Sequence, residues 1–313
     1  MRLTFRIGLA LAAAAIAAAP AAPASAGLFG RHAHHEAQAG LPDKAVAQIQ
    51  KALDEQRYVD AGRMIDEAVL SGVKDPRLAL MSGQLALGRG QYDTAIVQFK
   101  LAEADHDARA KALEGEGLAL SLLGRSDEAL HVLQDAVTAD PSSWRAWNAL
   151  GSEYDQRGDF TRAETAYEHA LVDSDNAAMV LNNRGYSRLL RQDYDRAVDD
   201  FVDALKKKPD MAPARTNLRL ALAMKGEYDR ALQGGSPADQ AALLNNAGFA
   251  AMTRGDYSRA EQLFEEAIKA KGEYYAKAAA NLETARAMAA RSAATPVAAA
   301  ASPAPAPAVD APR

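Results

Sequence analysis

The chain has 313 residues, a formal charge of −5 and 49% hydrophobic residues, enough to bury a sizeable core. It has no cysteine, which excludes disulfides, thiolate metal sites, cysteine nucleophiles and a lipid-bearing N-terminal cysteine. The mildly acidic balance argues against a nucleic-acid surface, where clustered basic charge supplies the affinity.

The first residues read as a secretory signal. Arg2 and Arg6 form a positive n-region, Ile7 to Ala19 is apolar, and Ala24-Ser25-Ala26 fits the small-x-small cleavage rule. Residues 1–26 are therefore expected to be removed, leaving Gly27 first and a protein exported to the periplasm. The alternative is an uncleaved anchor, for which the apolar run is short of the roughly 20 residues that span a bilayer. Residues 27–41 read as a mobile leader. His32, His34 and His35 cluster there, but the segment offers no second shell to hold a metal, and none is expected.

From residue 42 to 273 the chain repeats. Ala61, Ala95, Ala129, Ala163, Ala197 and Ala231 stand 34 residues apart, and Ala260 follows after a step of 29. Three residues before each stands Tyr58, Tyr92, Ser126, Phe160, Tyr194, Tyr228 or Tyr257. Two residues before that stands a glycine, except at Gln56 and Gln192. Ala68, Ala102, Ala136, Ala170, Ala204 and Ala267 follow seven residues after their alanines. The pattern predicts seven helix-turn-helix units starting near 42, 76, 110, 144, 178, 212 and 241.

The fourth unit shows the physical roles. Trp147, Leu150 and Tyr154 recur at three and four residues and so form one face of a first helix. Gly158 closes it in the left-handed conformation. Asp159-Phe160 opens a second helix, whose Ala163, Tyr167 and Ala170 recur at helical spacing. Gly151 and Ala163 are small, which predicts a close crossing of the two helices. Pro141 and Pro209 mark the hand-over between units. Lys206-Lys207-Lys208, the only basic run, reads as a solvated helix end. The sixth unit is irregular: Gly234-Gly235-Ser236-Pro237 stops its second helix, and a helix restarts with Ser236 or Pro237 at its start. Residues 274–291 predict a capping helix with Leu282 and Met288 inward. The Ala/Pro tail, 292–313, is expected to be extended and disordered.

No catalytic or cofactor-binding motif occurs, so an enzyme is not expected, nor any cofactor. His106, His131 and His169 read as surface or groove residues. The acid pairs Glu114/Glu116 and Asp199/Asp200 read as solvated helix charges.

These residues resemble the tetratricopeptide repeat family over about 250 of the 313 residues. The resemblance implies an all-α, right-handed solenoid of about seven units, with end caps and a concave groove that binds a protein or extended peptide. It places Asn148, Ser152, Asn182, Asn183, Tyr186, Thr216, Asn217, Asn245, Asn246 and Phe249 on that groove. Asparagine both donates and accepts, so such a ladder suits an extended backbone, with Tyr186 and Phe249 adding apolar contact. Alternatively, the asparagines tie one hairpin to the next. The stretch from Leu181-Asn-Asn-Arg-Gly-Tyr-Ser to Pro209, then Arg215 onward and Ser236-Pro237-Ala238-Asp239, looks like the TadD proteins of Flp/Tad pilus assembly. That resemblance implies an envelope assembly factor with a pilus or secretin partner. A general periplasmic adaptor in cell-wall or outer-membrane biogenesis is the alternative.

Overall fold

In the computed structural model the described residues are 40–172, 174–236, 239–272 and 275–294. The expected signal, the leader through residue 39 with its three histidines, and the tail beyond residue 294 lie outside them.

The chain forms helical hairpins in sequence order. They are α1 (Asp43–Asp54) with α2 (Tyr58–Leu70), α3 (Pro76–Gly88) with α4 (Tyr92–Ala102), and α5 (Arg109–Leu122) with α6 (Ser126–Ala139). Next come α7 (Trp144–Gln156) with α8 (Phe160–Val172), and α9 (Ala177–Leu190) with α10 (Tyr194–Lys207). Then follow α11 (Ala212–Lys225), a short α12 (Tyr228–Ala231), α13 (Gln240–Thr253) with α14 (Tyr257–Lys271), and α15 (Ala276–Ala294). No strand occurs among the described residues. The fold is the expected all-α repeat solenoid. Two compact units divide it, Met1–Arg215 and Thr216–Arg313, with the boundary inside α11.

In the first unit the first helices α1, α3, α5, α7 and α9 each touch the next in that series. No contact joins α2, α4, α6, α8 and α10 to one another among the described residues. The stack therefore fans open on the side of the second helices, and the first helices form its inner layer. Apolar clusters follow one another along it, each built from neighbouring hairpins only.

The register alanines are the crossing points. Ala61, Ala95, Ala129, Ala163, Ala197 and Ala260 are all 0% exposed, because any larger side chain would push the paired helices apart. Gly151, also buried, adds a second kind of close contact. Gly151 faces the Tyr167 ring, and a Cβ there would lie 2.7 Å from it. The same ring-into-glycine contact recurs between Gly83 and Phe99, Gly185 and Phe201, and Gly248 and Phe264. In the sixth repeat the register puts Arg219 where the glycine belongs and Gly235 where the ring belongs. The sixth repeat therefore lacks this contact, and its second helix, α12, is 4 residues long.

Turns close as expected at Gly158, with φ 71°, but Gln56 and Gln192 adopt the same left-handed conformation, with φ 57° and 65°. That costs an L-residue about 1–2 kcal/mol, which the packing on either side of the turn offsets.

Two expected boundaries move, at Leu41 and at 292–294. Leu41, placed in the mobile leader, is 2% exposed. Its N–H donates to Asp75 Oδ2 at 2.7 Å, and its carbonyl accepts from Arg77 at 2.8 Å. The restarted helix, α13, begins at Gln240. Asp239 stands at its N-cap, and Ser236 Oγ accepts from the Asp239 N–H at 3.3 Å. Helix α15 continues through Ala294, so 292–294 belong to it and not to the tail. Within α15, Leu282 packs at 8% exposure but Met288 remains 36% exposed.

Candidate functional site

Each first helix of the first unit has one side against the second-helix layer, so its accessible stripe lies on the inner side. On α5 that stripe is Lys111, Glu114, Leu118 and Leu122; on α7 it is Arg145, Asn148, Ser152 and Gln156; on α9 it is Asn183, Tyr186 and Leu190. These spacings of three and four residues are those of one helix face. The stripes combine polar amides in the middle with leucines to either side. Leu122 is 40% exposed and Leu190 38%.

Asn148, Ser152, Asn183 and Tyr186 thus share the inner face, all half-buried. Asn183 Nδ2 donates to Asn148 Oδ1 at 3.0 Å, tying α9 to α7. Asn182 Nδ2 donates to Asn183 Oδ1 at 3.2 Å, but Asn182 is itself only 7% exposed. In the second unit Asn245 is 2% exposed and accepts from Asn281 Nδ2 of α15 at 2.9 Å. Asn246 and Thr216 are exposed, and Asn217 and Phe249 half-buried. The expectation that Asn182 and Asn245 offer amides to a ligand is corrected: both are buried, and Asn245 sits in the seam between α13 and α15. Asn281 escapes sequence reasoning because α15 lies outside the repeat register. Leu118, Leu122 and Leu190 escape it because leucine in an amphipathic helix reads as core.

Behind the stripe lies buried charge. Asp155, on α7, accepts from Tyr167 Oη at 2.9 Å and from Ser187 Oγ of α9 at 2.6 Å. Burial raises its pKa to about 6 against those two donors, and the Tyr186 phenol is raised as well by burial and by this carboxylate. Glu153 is 1% exposed and accepts from Ser126 Oγ. Ser126 is the repeat position that lacks the usual aromatic, and Glu153 is the neighbouring residue that meets it. On α9, Arg184 and Arg188 both pair with Asp200 of α10 at 2.7 Å, and Arg188 reaches Glu164 of α8 at 2.5 Å. Glu116 and Asp200, expected to be solvated, are each 3% exposed. Arg77 is engaged by Asp75, Asp43 and the Leu41 carbonyl, and so anchors the N-terminus of the stack. Among the described residues the histidines are peripheral: His106 and His131 are exposed, and His169 stacks on Trp147 with centroids 4.4 Å apart.

Glu116 gives a pH dependence. Burial and the Glu103 carboxylate raise its pKa to about 7, against the Lys100 ammonium 3.4 Å away. The folded state therefore holds this proton more tightly than the unfolded chain, whose value is 4.5. The associated stability is fully present below pH 4.5 and is lost as pH rises through about 7. Urea melts should show Glu116→Gln removing on the order of 2 kcal/mol of that decline. An unchanged slope in the variant would assign the decline to other groups.

The site carries no group of three or more metal-ligating side chains among the described residues, and no described helix is long and apolar enough to cross a membrane. A family model described as tetratricopeptide repeat matches residues 80–143, 115–178, 148–212 and 182–234, and a second so described matches 240–271. Together they span more than half of the chain. Cellulose synthase operon protein C of Escherichia coli K12 is 33% identical over 147 residues, 45% of this chain and 12% of that protein. Protein FlbA of Caulobacter vibrioides is 29% identical over 154 residues, 46% of this chain and 25% of that protein. The chain spans a quarter or less of the length of the curated relatives it matches. Among solved structures, the C-terminal part of a repeat protein from Cytophaga hutchinsonii superposes with a TM-score of 0.55 at 17% identity. That match covers 75% of this chain and 98% of the other.

Proposed function

From a chain that belongs to the tetratricopeptide repeat family, we propose an exported scaffold that holds an extended peptide or protein and helps assemble a Tad/Flp-type pilus or secretion channel in the bacterial envelope. A protein-interaction scaffold is the family's role. The observation that carries the binding reading is the inner stripe, where the Asn148–Asn183 amide pair lies between Leu118 and Leu122 on one side and Tyr186 and Leu190 on the other. Amides that pair with each other at 3.0 Å still keep a donor and an acceptor for a ligand backbone. The exposed leucines and Tyr186 would supply the apolar contact. Export to the periplasm is supported by the signal-like start, and the pilus role by the resemblance at Leu181–Ser187 and the interrupted sixth repeat.

Deleting the gene should abolish surface pili while pilin accumulates to normal levels, and wild type supplied in trans should restore them. Tyr186→Ala should weaken capture of the partner by about thirtyfold, a hot-spot loss of ~2 kcal/mol, without loss of helicity. Normal piliation after deletion would sink the pilus role. Recovery of cell-wall enzymes with the wild-type protein would then point to an adaptor in envelope biogenesis.

A further inference from the structure

The outer faces of the second helices differ along the stack. On α6 the exposed side chains include Asp127, His131, Asp135 and Thr138, and on α10 they include Asp195, Asp199 and Asp203. Such stripes suit water. Helix α2 is different. Val59 is 83% exposed and Leu70 88%, at opposite ends of one stripe. Between them lie Gly62, Arg63, Asp66 and Glu67, and with Arg89 they line an open cleft of about 630 Å³. Val97 and Leu101 of α4, at 56% and 61%, continue the apolar character onto the next hairpin.

The order of residues along this stripe is self-complementary. Val59 and Leu70 are equally far from its midpoint, as are Gly62 and Glu67, and Arg63 and Asp66. We propose that α2 is a homodimer contact, in which a second copy lays its own α2 antiparallel in this cleft about a two-fold axis. A two-fold contact is isologous, so each pairing occurs twice. Val59 then covers Leu70 of the second copy, and Arg63 faces its Asp66. Glu67 meets the place beside Gly62, where the Arg89 guanidinium lies: a Cβ at Gly62 would be 2.5 Å from Arg89 Nη2. Arg89 Nη2 already donates to the Tyr58 carbonyl at 2.7 Å, which holds that guanidinium in place. Glycine at this point leaves room for that guanidinium, which a larger side chain would displace.

Charge is what selects a second copy over another occupant. The side chains of Arg63, Asp66 and Glu67 make no ion pair within the chain among the described residues, although Arg63 and Asp66 stand one turn apart on the same helix. An apolar peptide would leave all three charges facing it unpaired. A copy related by a two-fold axis pairs every one of them and covers both exposed aliphatic ends.

Sedimentation velocity on the full chain tests this by charge reversal. Wild type should run as a dimer at about 100 μM. Arg63→Asp and Asp66→Arg should each run as monomers, with association weakened at least about a hundredfold, because each reversal sets like charges together twice. Both positions are exposed, so far-UV circular dichroism should match wild type. Mixing the two variants should restore a dimer. The introduced aspartate of one copy then faces the introduced arginine of the other, and the unchanged Arg63 faces the unchanged Asp66. Monomeric wild type, or either single reversal leaving the dimer intact, would overturn the proposal. So would a failure of the mixed variants to associate.

Discussion

Tyr167→Ala should lower the unfolding free energy by about 4 kcal/mol, since removing a fully buried aromatic typically costs 3–5 kcal/mol. Tyr167 is 1% exposed and its ring fills the space over Gly151. That space cannot close easily. The flanking Ala163 and Ala170 are already 0% exposed and belong to the same packed cluster. The substitution also takes away a 2.9 Å donor from the buried Asp155, leaving Ser187 as its side-chain donor. Tyr167→Phe isolates that second effect, because it keeps the ring and removes only the hydroxyl. It should cost about 1–2 kcal/mol, the range for a buried acceptor that loses a partner. Chemical denaturation followed by far-UV circular dichroism measures both. A loss below about 2 kcal/mol for Tyr167→Ala would mean that neighbouring side chains collapse into the void.

Asp200→Ala should cost about 3–5 kcal/mol, the range for breaking a buried ion pair from one side. Asp200 is 3% exposed. It accepts from Arg184 at 3.1 and 2.7 Å and pairs with Arg188 at 2.7 Å. Arg188 keeps Glu164 as a partner in the variant, whereas Arg184, with its side chain 16% exposed, makes no other close ion pair among the described residues. The cost therefore comes mostly from the orphaned guanidinium. Removing Arg184 as well should recover part of the loss, so the Asp200→Ala, Arg184→Ala pair should show strong positive coupling in a double-mutant cycle. Additive losses would show that the pair contributes no more than its separate packing.

The repeat architecture is legible in the sequence because its signals are local. Alanine at a helix crossing and glycine at a left-handed turn each answer a constraint inside one hairpin, and they recur wherever the hairpin recurs. The short sixth repeat is legible for the same reason, since Gly234-Gly235 cannot sustain a helix in isolation. The loss of the ring-into-glycine contact there is not: the exchange of glycine for Arg219 and of the ring for Gly235 can be read only once that contact is known from the other repeats. The candidate site is legible in part. Asn148, Ser152, Asn183 and Tyr186 do share one face, while Asn182 and Asn245, one residue around the helix from exposed or half-exposed amides, are buried. A one-residue step on a helix is about 100°, enough to carry a side chain from groove to core.

A 34-residue spacing of small residues, aromatics and glycines is sufficient to dictate the helices, their pairing and the positions of their turns. Which polar residues are buried is settled at a higher level, in the stacking of one hairpin on the next. Glu116, Glu153, Asp155 and Asp200 occupy ordinary surface-like places in the sequence, yet each is 9% exposed or less. Periodicity fixes where a residue stands within its own hairpin. Burial depends on what the next hairpin lays against it: Ser126 in place of an aromatic admits Glu153, and Ser187 and Tyr167 together satisfy Asp155. Desolvating a carboxylate is tolerated only where such partners converge, and that convergence exists only in the stacked fold.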